Sequence, residues 1–393
     1  MTTRLYRRDA YQTNFSSALQ EVRERSGRIE LRLEETAFYP TAGGQACDTG
    51  WIGEARVVEV SEDDGDIWHA LEGAVPGEHL PEIGAELHGQ IDWARRFDHM
   101  QQHTGEHILG QAFFRLSKHV VAVNMEHAVC TLDLAGEVSW EAAMTAEQTA
   151  NEAIWAAHPI TTYEIPDTDL ETVPLRRAPK VTGMVRVVQI GDYDYSACGG
   201  THLHSSAEVG ILKIFKLERV RGTDSRVFFN CGSRVLSDYR FKHDFVSQLG
   251  LRFSTALEAV PERVGVALEE LTSSKREVSS LRARLAAQIA AGVTEPVYVA
   301  TLEDAALLPE LAKLFAARPG QIAILGAITE SRAMIAVACG AGATAKAGEL
   351  LKIGLPFIDG RGGGKPDLAQ GSGVKPEGLG TALEAMRAAI PAG

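Results

Sequence analysis

Apolar and polar residues alternate through the first 95 positions, most plainly in RIELRL (28–33), RVVEV (56–60) and IWHAL (67–71). Alternation puts one face of a strand on a core and the other in water, so 1–95 is predicted to form a small antiparallel sheet or β-barrel. FYPTAGGQACDTG (Phe38 to Gly50) interrupts it as a polar loop. Gly43 and Gly44 let a backbone approach a ligand, or simply turn a hairpin. Thr41, Gln45 and Asp48 add hydrogen-bonding side chains to that turn.

The period then changes. Met100, His103/Thr104, His107/Ile108 and Phe114 recur at helical spacing, predicting a helix over 98–117. A short strand in HAVCTLDL and a helix over SWEAAMTAEQTANEAIWAA follow, then strands in ITTYEI and VRVVQI. GDYDYSACGGTHLHSS (191–206) is a loop, and ILKIFKLERV and SRVFFNCG look like paired strands. These elements form one α+β unit, assigned to 96–240. From Leu257, apolar positions Val260, Val264, Ala267, Leu271, Val278, Leu281 and Leu285 keep 3–4 spacing, broken once at Ser274. That predicts a helical coiled-coil arm over 241–293, with Pro261 near a helix start, where proline is tolerated. The last stretch, 294–393, reads as a C-terminal α/β domain. In it GRGGGKPDLAQGSG (Gly360 to Gly373), carrying Arg361 and Lys365, is predicted to be a loop that approaches a phosphate backbone.

Composition narrows the classes. The chain has 393 residues, a net charge of −13 and 45% hydrophobic residues, with a mean hydropathy of −0.08. So acidic a chain does not adhere to nucleic acid or anionic membrane through its overall field, and any such contact must be local. Cys47, Cys130, Cys198, Cys231 and Cys339 form no close pairs, which argues against a disulfide framework and for a reducing compartment. The N-terminus lacks the apolar core of a signal peptide, and no apolar run reaches the length of a membrane span. The expectation is a cytoplasmic protein without membrane contact.

The chemistry gathers in two short segments. His103 and His107, four apart on a helix, lie on one face and can share one metal. Cys198 and His202 in CGGTH supply two further donors, and three histidines with a thiolate make a tetrahedral zinc set. His103-x-x-Glu106-His107 also matches the inverted zinc-protease pattern, with Glu106 as general base. In that scheme CGGTH is idle.

HTGEHILG with CGGTH, preceded by FYPTAGGQACDTG, resembles the editing domain of alanyl-tRNA synthetases and their free-standing relatives, the AlaX trans-editing proteins. The arm and GRGGGKPDLAQGSG resemble the C-terminal, DHH-associated domain of those synthetases. With no room before residue 20 for an aminoacylation domain, the expectation is a long-form AlaX protein. The resemblance implies hydrolysis of the ester joining serine or glycine to alanine-specific tRNA. It implies zinc on His103, His107, Cys198 and His202, and Gln45 lining the pocket with Thr41 and Thr104 as candidate catalytic contacts. Arg219 and Arg221, from a run that includes Arg176, Arg177, Lys180, Arg186, Lys213, Lys216 and Arg226, are candidate tRNA contacts, together with Arg361 and Lys365. The blander reading of that run is an ion-paired strand face. A homodimer through the arm or the C-terminal domain is a further expectation. Two other readings stay open: a tRNA-binding module with structural zinc, and the metalloprotease.

Overall fold

The structure, a computed structural model, describes residues 1–73, 81–125, 128–178, 182–220 and 222–391. It is a mixed α+β molecule of two compact units, Met1–Ser247 and Gln248–Gly393.

In the first unit six antiparallel strands close into a barrel, in the order Asn14–Arg25, Arg28–Leu33, Asp66–Leu71, Ala55–Asp63, Gly50–Ile52 and Glu86–Ile91. Closure leaves no unpaired strand edge. The inward positions, among them Leu19, Leu31, Leu33, Val57, Val60, Ile67 and Ile91, form one buried cluster with Phe38.

Helix α1 (Trp93–Arg115) follows directly, its first turn capped by the Asp92 side chain accepting from Arg95 N. Its middle is buried on nearly every side: 99 to 110 are all buried, polar residues included. One reason is Gly105, where a Cβ would stand 2.2 Å from Cys231 Sγ, so only glycine lets the neighbouring sheet come this close. That sheet runs Leu212–Arg219, Ser225–Cys231, Cys130–Leu134, Val120–Asn124, all antiparallel. A second sheet holds Ile160–Pro166, Met184–Ile190 and Asp194–Ala197. Helix α2 (Trp140–Trp155), capped by Ser139, contributes Ala143, Ala146, Ala150 and Ile154 to the same core. Helix α3 (Gly232–Phe253) starts before the arm expected over 241–293 and overlaps its beginning; it keeps Leu236, Tyr239, Phe241 and Phe245 exposed.

The second unit begins with α4 (Val260–Gly292), a 33-residue helix that runs unbroken through Ser274 with Pro261 in its first turn. Ala286 and Ala290 near its end are buried beside Leu308, Leu311 and Phe315 of α5 (Leu308–Ala316). Leu268, Leu271, Val278, Leu281 and Leu285 stay exposed. The sheet of this unit is ordered Val297–Leu302, Ile322–Ile328, Ala333–Cys339, Leu368–Gly373, Gly360–Gly364, with only the first pair parallel. Helices α6 (Ala347–Gly354) and α7 (Leu379–Ala388) pack on it.

One expectation is corrected here. GRGGGKPDLAQGSG is not a loop: Gly360–Gly364 and Leu368–Gly373 pair as a hairpin. Its glycines answer to crowding, since a Cβ on Gly362 would sit 2.4 Å from Gln370 O. Glycine inside a strand marks close backbone approach. Among the described residues no helix is long and apolar enough to cross a membrane.

Candidate metal centre

His103 and His107 come from one face of α1, and Cys198 and His202 from the loop that follows strand Asp194–Ala197. One donor atom from each lies within 4.8 Å of all the others. Cys198 Sγ is 3.3 Å from His103 Nε2 and 3.4 Å from His202 Nε2. A zinc with bonds of about 2.0–2.1 Å to nitrogen and 2.3 Å to sulfur has tetrahedral edges of roughly 3.3–3.6 Å. The donor set fits that ion in kind, and both Sγ–Nε2 separations match its edge.

Two of the imidazoles are hydrogen-bonded from behind through their other nitrogen, and the third faces a carboxylate there. His103 Nδ1 donates to Gln45 Oε1 at 2.7 Å, and Gln45 Nε2 donates in turn to Thr201 Oγ1 at 2.8 Å. His202 Nδ1 lies 3.3 Å from Thr104 Oγ1. His107 Nδ1 lies 3.5 Å from Asp194 Oδ2, while Ser196 Oγ donates to that same oxygen at 2.9 Å. Three Nε2 atoms are thereby left for one cation, an arrangement in which outer partners fix ring orientation and ligand basicity.

The turn that carries Gln45 is tight. Ala42 and Gln45 exchange both backbone hydrogen bonds around Gly43 and Gly44, whose φ values are +57° and +81°. Below it Asp48 and Arg96, both fully buried, pair at 2.5 Å, and Arg96 also donates to the carbonyls of Ala10 and Ala37. On the other side Arg186 Nη1 donates to the carbonyls of Cys198 and Gly200, 2.9 Å each. Gly200 has no room for a side chain: a Cβ would stand 2.1 Å from His103 Cε1.

Electrostatics favour ligation. Burial would raise the Cys198 thiol, but the His103 and His202 rings hold it well below the usual thiol range. Burial, with help from His103, pushes His202 down to about 3, so it stays neutral. Burial would also lower His107, yet Asp194 and Cys198 more than offset it and raise it to about 10. A cation at this centre would take the place of that proton.

The cluster opens on a cavity of about 950 Å³ lined by Gly43, Glu106, Phe114, Arg176, Arg186 and Gly199 among others. Gln45 and Thr104, expected to line the pocket, stand behind the histidines. Thr41 is exposed and its Oγ1 accepts from Cys47 N at 3.1 Å, a turn cap away from the donors. Sequence reasoning missed Asp194 and Thr201. The alternation of Asp194–Ala197, in which Asp194 and Ser196 are buried, is the signal that could have found Asp194. The basic strand face is largely neutralised: Lys213 pairs with Glu147, Lys216 with Glu218 and Arg226 with Asp133. Arg219 is exposed and donates to Gly222 O. Arg221 and Lys180 lie outside the described residues. Arg361 and Lys365 are exposed on the C-terminal hairpin.

The family model described as "Threonyl and Alanyl tRNA synthetase second additional domain" matches residues 185–227, which include CGGTH. An alanine–tRNA ligase of Streptococcus thermophilus is 31% identical over 390 residues, covering 92% of this chain and 44% of the ligase. One from Pyrococcus abyssi is 30% identical over 361 residues, 86% of this chain and 39% of the ligase. The chain thus spans less than half the length of these ligases. The alanyl-tRNA editing protein AlaX-L of Pyrococcus horikoshii is 31% identical over 293 residues, and there the match covers 72% of this chain and 70% of the relative. With two thirds of that relative matched at this identity, the chain belongs to the family of AlaX-like alanyl-tRNA editing proteins.

Proposed function

We propose that the chain hydrolyses the ester of alanine-specific tRNA wrongly charged with serine, and also with glycine, in a zinc-containing site on His103, His107, Cys198 and His202. The observation that carries this is the four-donor cluster opening on a cavity of the size used for small ligands. Bound zinc supplies a Lewis acid for the ester carbonyl or for water. The chain's own residues do the rest. Gln45, Thr104 and Asp194 orient the three rings. Glu106, whose Oε2 lies 3.9 Å from His107 Nε2, offers the cavity a carboxylate that takes a proton from the attacking water.

A separate hydrolytic site answers a physical problem. A pocket built for alanine cannot strongly reject glycine, which is smaller, or serine, which adds only a hydroxyl. A site that hydrogen-bonds that hydroxyl is left with unpaired polar groups by alanine, so the correct product is spared. All five cysteines are free, which supports a cytoplasmic setting. The exposed leucines of α4 support pairing with a second copy along the arm.

The test is single-turnover deacylation of Ser-tRNA and Ala-tRNA, both on alanine-specific tRNA, with zinc content measured beside it. Fast loss of serine alone, abolished with the zinc by Cys198→Ala, is expected. Glu106→Gln should keep the zinc and slow the step by about 10²–10⁴-fold. A second reading, a tRNA-binding module with structural zinc, is favoured by the four protein donors, since structural sites are closed in this way. Zinc and tRNA binding without any deacylation would establish it instead.

A further inference from the structure

We propose that the unpaired 3′ strand of the RNA substrate leaves the metal centre along a second cavity, where Arg7 and Arg8 bind its phosphates. This rests on the reading of the centre as a site for aminoacyl-tRNA. The second cavity, about 820 Å³, is lined by Arg4, Arg7, Arg8, Glu164 and Arg186, and shares Arg7, Glu164 and Arg186 with the cavity over the donors. The two cavities adjoin at these three side chains.

The arginines stand on a pinned base. Leu5 and Tyr6, in the short 3₁₀ turn Leu5–Arg7, are buried; Leu5 joins the barrel core and Tyr6 packs edge-on against Tyr39 at 5.3 Å. With the two apolar residues fixed inward, Arg7 and Arg8 are both exposed beside them. Arg4 pairs with Glu62, whereas Arg7 and Arg8 have no carboxylate partner among the described residues. Arg186 is bonded to backbone carbonyls and faces Glu164 across the strand pair, so Arg7 and Arg8 are the cations left for a phosphate.

A chain of net charge −13 can attract RNA only where positive charge is local and unpaired. The strand face of Lys213, Lys216 and Arg226 fails that condition because each is matched by a carboxylate. The turn at Arg7 and Arg8 meets it, and it adjoins the reactive centre. Across the first cavity the half-exposed Phe114, with Val121, offers an apolar wall on which the terminal base can stack.

Phosphate contacts are read by salt. Affinity for alanine-specific tRNA is measured against salt concentration for wild type, Arg7→Ala/Arg8→Ala and a control of equal charge loss on α3, Arg240→Ala/Lys242→Ala. Each single-strand phosphate contact contributes about 0.7 to the log–log slope, so losing two should make it shallower by about 1.4. The control should keep the wild-type slope. Affinity at low salt should fall about tenfold or more in the Arg7/Arg8 variant, and Arg7→Lys/Arg8→Lys should restore the slope. Wild type on tRNA lacking its last four nucleotides should show the same shallow slope, an arm that needs no variant to fold. An unchanged slope with either the Arg7/Arg8 variant or the shortened tRNA overturns the proposal. If wild-type deacylation is intact in that case, the hydrolase reading stands and only the groove falls. Shallow slopes from a protein that deacylates nothing would leave the groove standing as an RNA site and remove the hydrolase.

Discussion

The unit Met1–Ser247 buries 23 polar or charged side chains, from Thr2 to Asn230, while among the described residues Gln248–Gly393 buries none. All twelve histidines and all five tryptophans also lie in the first unit. Buried polar groups cost stability unless each finds a partner. A unit that keeps so many, most of them on α1 and the loops facing it, is organised around chemistry. The second unit is organised around packing: Ile322, Ile324, Ile335, Val337, Leu350 and Leu351 fill its core, and its charges are outside.

The largest expected effect comes from breaking a buried pair in the first unit. Asp48→Ala strips the carboxylate from the fully buried Arg96 and should cost the first unit about 3–5 kcal/mol. Asp304→Ala in the second unit removes a half-exposed partner of Arg282 and a cap on Ala306 N, and should cost about 1 kcal/mol. Since all five tryptophans lie in the first unit, their fluorescence during urea unfolding of the full chain reports that unit, and far-ultraviolet dichroism reports both. Equal losses for the two substitutions would erase the distinction drawn here.

Acid should also separate the units. His69 is fully buried, its Nδ1 donating to Leu31 O and its Nε2 accepting from Thr36 Oγ1. Burial pushes it from 6.5 down to about 4. The unfolded chain therefore binds the extra proton between those values, and stability that is complete above pH 6.5 is lost as pH falls towards 4. The His69 share is about 3 kcal/mol. It is read as the difference in acid sensitivity between wild type and His69→Gln, whose amide can keep both bonds. The second unit has no histidine and should show no loss of this kind. If His69→Gln is as acid-sensitive as wild type, burial of this ring is not what the barrel pays for.

Much of the first unit was legible because its signals are local. Alternation marks the barrel strands, and spacing of four puts His103 and His107 on one face. That CGGTH would meet them is not local; it came from the chemistry of the donors and from the resemblance. The partners behind the rings were illegible for the same reason. Asp194 faces His107 only through the fold, so it looked like an ordinary loop residue; Gln45 was singled out for the pocket, but that it reaches His103 across the barrel turn was not legible. The C-terminal hairpin failed differently. Strands made of glycine have few side chains to alternate, so periodicity carries no information there, and density alone suggested a loop.

Gln45→Leu should sharpen the role of those hidden partners. It keeps most of the volume but removes the acceptor from His103 Nδ1, and loss of such a partner typically lowers metal affinity by about 10–100-fold. Gln370→Leu, on the exposed hairpin of the second unit, should change nothing in that assay. Zinc competition with a chromophoric chelator measures both. Unaltered affinity in Gln45→Leu would return Gln45 to the pocket-lining role that the resemblance implies.

The smallest effect concerns the second unit's own surface. Arg361 and Lys365 stand exposed at the strand and turn of the glycine hairpin, and among the described residues neither makes an ion pair. If that hairpin touches the tRNA body, Arg361→Ala/Lys365→Ala should weaken tRNA affinity by roughly three- to tenfold and make the salt slope shallower by about 1 to 2. Single-turnover deacylation at saturating protein should be untouched, since neither side chain lies in the unit that holds the donors. Weaker binding with an unchanged saturated rate gives the second unit a share of the affinity and leaves the chemistry to the first. A slower saturated rate would mean that the two units share the reaction, and the contrast between a chemical unit and a packing unit would fail.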